Sequence, residues 1–337
     1  MVSRTLRVMP RARTWPMLTA LLATSLCVAA CKTKGVGSAR DADVTYLDGP
    51  DRSLTFEASA KPGDNYERAE FRLWLPDPTT PVRALVVLLP GSNDDGRDEV
   101  RDPFWQAFAV HHRLGLVGCR FVDKPHEPAF IEQYANASKG SGQALVDALG
   151  ALARESSHAE IDAVQILLWG MSAGGEYDFE FAVWRPERVL AFVVNKGGVY
   201  YTALASEATR QTPGLFFTGG KDLEFRTAVI EGLFALNRRA GALWAMVREP
   251  GLGHEVGRSR DLAAMFFEEI LAARLPEGTT SPISLSEAAG TIGDLKTFAI
   301  TSAAMGSGPT TPTAWLPSER FARHWQAVLG GRPFPRP

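Results

Sequence analysis

Residues 163–183 read AVQILLWGMSAGGEYDFEFAV. The largely apolar, β-branched run from Ala163 to Trp169 has the length and composition of a buried strand, and the residues after Gly175 have helical spacing. Between them lies Gly170-Met171-Ser172-Ala173-Gly174-Gly175, so the stretch predicts a strand, a sharp turn and a helix with one serine at the apex. A serine on such a turn takes a strained backbone conformation, and the residues two positions to either side must lack bulk for strand and helix to approach. Gly170 and Gly174 meet that requirement. The turn lifts the hydroxyl clear of the sheet, and the first N–H groups of the helix face whatever that hydroxyl attacks. Ala173 N–H is therefore a candidate oxyanion donor. Glycine-rich chains produce G-x-S-x-G by chance, and the motif gains its weight here from the strand before it and the helix after it.

Around this element the chain alternates between two patterns. Strand-like runs occur at 71–75, 83–89, 114–121, 163–169, 189–195, 214–219 and 242–249, with helical patterns near 102–113, 138–154, 173–184, 225–240 and 259–274. Continuous apolar strands alternating with helices predict an α/β fold, a mostly parallel central sheet covered by helices on both faces. In such sheets function gathers at the carboxyl ends of the strands. After strand 83–89 comes Pro90-Gly91-Ser92-Asn93-Asp94-Asp95-Gly96, a loop that can offer a second oxyanion N–H, most simply from Ser92. After strand 214–219 comes Gly220-Lys221-Asp222, and after 242–249 comes Pro250-Gly251-Leu252-Gly253-His254-Glu255. Serine, aspartate and histidine thus each stand at a strand end. Glu224 competes with Asp222 as the acid, while Asp162 and Asp178, flanking the serine element, are expected to be solvated.

The order Ser172, Asp222, His254, with GMSAGG, LLPGSND, FFTGGKD and GLGHEVG, resembles the α/β-hydrolase superfamily over about residues 65–275. Within it the chain is similar to exported esterases related to polyhydroxybutyrate depolymerases, feruloyl esterases and dienelactone hydrolases. Many of these relatives carry histidine before the glycine of the oxyanion loop, where this chain has Pro90. The resemblance implies an α/β-hydrolase domain over 46–275 and a carboxylic ester hydrolase that needs no cofactor. Ser172 would be the nucleophile, His254 the base, Asp222 the orienting acid, and Ala173 and Ser92 the oxyanion donors. A peptidase or acyltransferase with the same triad is the alternative. A non-catalytic surface protein that binds cell-wall or surface glycans is the alternative from another class.

Residues 1–30 carry Arg4, Arg7, Arg11 and Arg13, no acidic residue, and the apolar stretch WPMLTALLATSLCVAA ending in small residues. This pattern predicts a secretory signal rather than a spanning helix. Leu26-Cys27-Val28-Ala29-Ala30-Cys31 resembles a bacterial lipobox, with Cys31 as the acylated new N-terminus and Lys32 in place of aspartate after it. The expected location is outside the cytoplasm, lipid-anchored at the outer membrane or cell surface. An ordinary signal peptide, giving a soluble periplasmic or secreted protein, is the alternative. Loss of this leader takes the formal charge of the chain from −2 to −6, which gives no electrostatic footprint for nucleic acid. Residues 31–45 read as a tether. Cys119, in LGLVGCRFV, reads as a small buried hydrophobe, and no internal disulfide is expected.

No histidine or cysteine spacing matches a zinc site and Asp94-Asp95 lacks a calcium-loop pattern, so no metal is expected. His111 and His112 are adjacent and diverge on a helix, so they cannot chelate together. Residues 276–337 are expected to form a small appendage packed on the domain. It holds one possible strand at LKTFAI and a helix through TAWLPSERFARHWQAVLGG, with Ser318 as cap and Trp315, Phe321, Trp325 and Val328 on its packing stripe.

Overall fold

The computed structural model describes residues 44–46, 53–128, 131–303 and 312–334. The leader at 1–30, Cys31 and nearly all of the tether lie outside the described residues.

Among the described residues nine strands form one sheet: β1 (Val44–Tyr46), β2 (Ser53–Ser59), β3 (Arg68–Trp74), β4 (Ala84–Leu89), β5 (Leu114–Val122), β6 (Gln165–Met171), β7 (Val189–Asn195), β8 (Gly214–Gly219) and β9 (Trp244–Glu249). Their spatial order is β1-β2-β3-β5-β4-β6-β7-β8-β9. The strands from β5 to β9 along this order pair in parallel, and β1, β2 and β3 add on antiparallel at one edge. Helices α1 (Pro103–His112), α2 (Ser141–Ser156), α3 (Ala173–Trp184), the short α4 (Glu207–Arg210), α5 (Glu224–Arg239) and α6 (Ser259–Arg274) fill the connections. Every residue of β4, β7 and β8 is buried. Because successive side chains point to opposite faces, helices must cover both faces, and this is why these strands read as unbroken apolar runs. This is the α/β-hydrolase fold.

Local chemistry sets the helix ends. Asp102 caps α1 by accepting from Phe104 N at 2.8 Å, with Pro103 in the first turn, and Arg113 closes the helix in a left-handed conformation. The apolar residues of α2 recur as Ala144, Leu145, Ala148, Leu149 and Leu152, and all are buried. Cys119 is fully buried in β5, and burial pushes its thiol well above the ordinary range.

The chain after residue 275 forms a second, three-stranded sheet in the order β11-β10-β12, from β10 (Thr291–Asp294), β11 (Ile300–Ser302) and β12 (Thr313–Leu316), followed by α7 (Glu319–Leu329). Here the structure corrects the sequence reading. LKTFAI is mostly the turn joining β10 to β11, and TAWL is a strand with Trp315 opposite Ile292. Pro317 disfavours helical geometry at Leu316, and the helix starts only at Glu319, where Ser318 Oγ accepts from Phe321 N at 3.0 Å. Trp325 donates its indole N–H to Met246 O of β9 at 2.7 Å, and Phe321 packs on Phe266 of α6 with 5.4 Å between ring centroids. The first contact seats the segment on the main sheet and the second on α6.

The sheet order reverses at β4, which lies between β5 and β6 although it precedes both in sequence. At such a switch point the loops leaving the strand ends diverge and leave a crevice. The loop after β4 and the turn after β6 meet there.

Candidate active site

The turn after β6 is compressed as the motif requires. A Cβ on Gly170 would stand 2.2 Å from the Gly174 carbonyl carbon, and a Cβ on Gly174 would stand 2.5 Å from the Leu89 and Pro90 carbonyl oxygens. These are backbone contacts that no rotamer change can relieve. Between the two glycines Ser172 sits at φ 54 and ψ −121, a strained conformation for a residue with a side chain. A serine at a helix N-cap ordinarily folds its hydroxyl onto an N–H of the first turn, but at these dihedrals no such bond forms. The backbone is pinned instead, with Ser172 N donating to Asn195 O at 2.8 Å and Ser172 O accepting from Glu176 N at 3.0 Å. The hydroxyl is left facing His254.

Ser172 Oγ lies 2.9 Å from His254 Nε2, and His254 Nδ1 lies 2.8 Å from Asp222 Oδ2. An ionised carboxylate can only accept, so Nδ1 carries the proton and Nε2 is the acceptor for the serine hydroxyl. The other oxygen, Asp222 Oδ1, accepts from Leu223 N at 2.7 Å and from Arg226 at 3.4 Å. Burial alone would raise the Asp222 pKa. The hydrogen bonds from His254 and Leu223 N–H, with the charges of His254 and Arg226, outweigh it and hold the carboxyl below its ordinary value.

Ala173 begins α3, so its N–H is among those without an intrahelical acceptor, at the positive end of the helix. The loop Pro90-Gly91-Ser92 borders the serine from the other side, and a Cβ on Gly91 would lie 3.8 Å from Ser172 Cβ. Ser92 Oγ donates to the buried Glu132. Asn93, at φ 53, ties the loop further through Tyr134 and the Asp123 backbone N–H. Glu224 is exposed at the start of α5, as is Asp162 before β6.

Sequence reasoning missed two acids on α3. Glu176 accepts from Gly198 N and Val199 N at 2.6 and 3.0 Å, and Glu180 accepts from Tyr201 N and Thr202 N at 2.7 and 2.8 Å. One helical turn apart, they hold the loop after β7 against the helix that follows Ser172. Burial pushes Glu176 up to about 7 against the pull of those N–H groups. The i, i+4 spacing of the two glutamates was visible, but it reads equally as a solvated face.

Asp178 is a correction. It was expected to be solvated, yet it is fully buried and neither carboxylate oxygen has a hydrogen-bond partner among the described residues. Desolvation raises its pKa well above the ordinary value. Folding thus favours the protonated acid, so stability is fully present below the unfolded carboxylate range near pH 4 and is lost as pH rises toward the folded value. Asp178→Asn is expected to be more stable than wild type by about 1–3 kcal/mol at pH 7, with the gap closing near pH 4. Urea denaturation at both pH values checks this. A variant equally destabilised at both would mean that the carboxyl has a partner and is not simply stranded.

Among the described residues no group of three or more His, Cys, Asp or Glu side chains could hold a metal ion. No family model matches the chain. No curated protein matches it either. Solved structures do resemble it. A poly(3-hydroxybutyrate) depolymerase from Bordetella parapertussis superposes with a TM-score of 0.47 at 19% identity, covering 64% of this chain and 88% of its own. An esterase from Pyrobaculum calidifontis gives 0.44 at 17% identity, covering 65% and 84%. A ferulic acid esterase gives 0.46 at 11% identity, covering 65% and 97%. The likeness is one of fold.

Proposed function

We propose that the chain is a serine hydrolase that cleaves a carboxylic ester through an acyl-enzyme on Ser172. The observation that carries this reading is the unbroken relay from Asp222 through His254 to Ser172, with bonds of 2.8 and 2.9 Å, ending on a serine whose strained turn keeps its hydroxyl off the helix. In the first half-reaction Ser172 Oγ attacks the acyl carbon while His254 Nε2 takes its proton, and Asp222 stabilises the resulting imidazolium. The carbonyl oxygen becomes an oxyanion held by the N–H groups of Ala173 and Ser92, a contribution of roughly 3–4 kcal/mol per donor in hydrolases of this kind. The tetrahedral intermediate collapses, the alcohol leaves with the proton from His254, and the acyl group stays on Ser172. In the second half-reaction water attacks, with His254 again as base, and the carboxylic acid departs.

From residues 1–31 alone we further propose export and a lipid anchor on Cys31. The substrate would then be an ester, free or polymer-linked, met outside the cytoplasm.

The test is a p-nitrophenyl ester series from acetate to octanoate beside fluorophosphonate labelling of the same protein. Turnover of short esters, with the label found on Ser172 by peptide mapping, is the expected result. A folded protein that takes neither ester nor label is a binding scaffold, and the reading fails. Labelling without ester turnover points to amide cleavage or acyl transfer on the same serine.

A further inference from the structure

Where β7 ends, the dipeptide Asn195-Lys196 stands between the two halves of the site. Lys196 is fully buried and takes φ 58, an uncommon choice for a lysine in both respects. An ammonium removed from water costs several kcal/mol unless each of its N–H groups is met. All three are met here: Nζ donates to Glu249 Oε2 at 2.5 Å, to Glu255 O at 2.8 Å and to Asn195 Oδ1 at 3.2 Å. Glu249 is the last residue of β9 and Glu255 directly follows His254, so one ammonium binds both flanks of the histidine loop. The other oxygen, Glu249 Oε1, accepts from Arg258 N at 2.7 Å and closes the loop's far end.

Asn195 makes the link to the nucleophile. Its backbone oxygen accepts from Ser172 N at 2.8 Å, and its side chain donates to Val256 O at 3.2 Å, two residues past His254. Further bonds hold the loop, among them Lys221 N–H to Leu252 O at 2.8 Å and Ser259 Oγ–H to Val256 O at 2.7 Å, but its composition adds little rigidity. It contains Pro250, Gly251, Gly253 and Gly257, and a Cβ on Gly251 would meet nothing within 4 Å. A buried salt bridge is a poor device for stability alone, since apolar residues of similar volume often serve as well or better. Its geometry is better suited to holding a fixed register between two loops.

We propose that Lys196, acting with Asn195 and Glu249, is a positioning residue that fixes the separation of Ser172 Oγ and His254 Nε2. It does so by tying the nucleophile's turn and the histidine loop to one strand end. The proposal rests on the reading of Ser172 as nucleophile and His254 as base. Lys196 touches no substrate and acts only through the loop.

The test uses the full chain. Lys196→Met keeps an unbranched side chain one atom shorter and removes all three donors, and kcat is expected to fall about 100-fold with KM within threefold, the pattern of a base displaced by about 1 Å. Fluorophosphonate labelling of Ser172 should slow in parallel. The downfield proton resonance expected of His254 Nδ1–H in wild type, from its 2.8 Å bond to Asp222, should broaden or vanish. This single variant leaves Glu249 buried without its cation, so it can fail to fold. The double variant Lys196→Met/Glu249→Gln removes both charges and keeps an acceptor for Arg258 N–H. It should melt close to wild type and still show the kcat loss and the missing resonance. A folded variant of either kind with kcat within twofold of wild type and an unchanged resonance overturns the proposal. If wild type neither hydrolyses an ester nor takes the label, the hydrolase reading fails, and the resonance alone decides. Its loss in the folded double variant supports positioning, and its retention refutes it.

Discussion

Replacing Ser172 by alanine is expected to lower kcat for ester hydrolysis by about 10⁶ while leaving the fold intact. The change removes one atom, the hydroxyl that meets His254 Nε2 at 2.9 Å, and keeps the Cβ whose presence makes φ 54 strained. The strain is therefore the same in both proteins, and the thermal midpoint should move by little. The Asn195 O to Ser172 N bond that fixes the turn is made by backbone and survives. On the proposed mechanism, what would remain is binding together with the oxyanion donors, which in hydrolases with the nucleophile removed still gives about 10³–10⁴ over water. KM for short p-nitrophenyl esters should change by less than kcat, because the hydroxyl contributes to the transition state and not to ground-state binding. Steady-state kinetics beside a denaturation curve measures both. An alanine variant that hydrolyses at the wild-type rate would remove Ser172 from the mechanism.

The parts of the fold legible in sequence were those whose pattern reflects local geometry. The runs at 189–195 and 214–219 are the observed β7 and β8 to the residue, because a parallel strand buried on both faces must be apolar throughout. The serine turn was legible because a Cβ on Gly170 or Gly174 would meet other backbone at 2.2–2.5 Å, so nothing larger than glycine fits. The illegible parts depended on what covers an element. β2 alternates Leu54, Phe56 and Ala58 with Thr55 and Glu57 at the antiparallel edge, and this half-buried pattern is too weak to stand out. Asp178 looks solvated in AGGEYDFEFAV, yet α3 is buried from Ala173 through Ala182 because segments distant in sequence close over it. Trp315 stands six residues before Phe321, off the i, i+4, i+7 face of Phe321, Trp325 and Val328, and pairing with β10 settles its stretch as strand. Lys196 was invisible for the same reason. Nothing in VVNKGG announces that the lysine turns inward to meet Glu249, fifty-three residues on.

Asp222→Asn is expected to lower kcat by about 10⁴ although the variant is nearly isosteric, and the reason lies in the second oxygen of the carboxylate. Oδ1 accepts from Leu223 N–H at 2.7 Å and from Arg226 at 3.4 Å, and both groups can only donate. An asparagine must therefore leave its carbonyl toward Leu223 and Arg226 and present its NH₂ to His254. Nδ1 then becomes an acceptor, the ring proton moves to Nε2, and the atom 2.9 Å from Ser172 Oγ can no longer take the serine proton. The imidazolium that forms during attack also loses its counter-charge. Substrate binding is untouched, so the loss should appear in kcat with KM nearly constant, and fluorophosphonate labelling should slow by a similar factor. Glu224→Gln alters an exposed side chain at the start of α5 and is expected to leave kcat unchanged. The pair of variants separates the two carboxylates that the sequence alone left in competition. An Asp222→Asn protein that retains more than a tenth of wild-type kcat, beside a Glu224→Gln protein that loses most of it, would move the acid to Glu224. Such a result would require the loop after β8 to rearrange, because Asp222 and not Glu224 lies within 2.8 Å of the imidazole here.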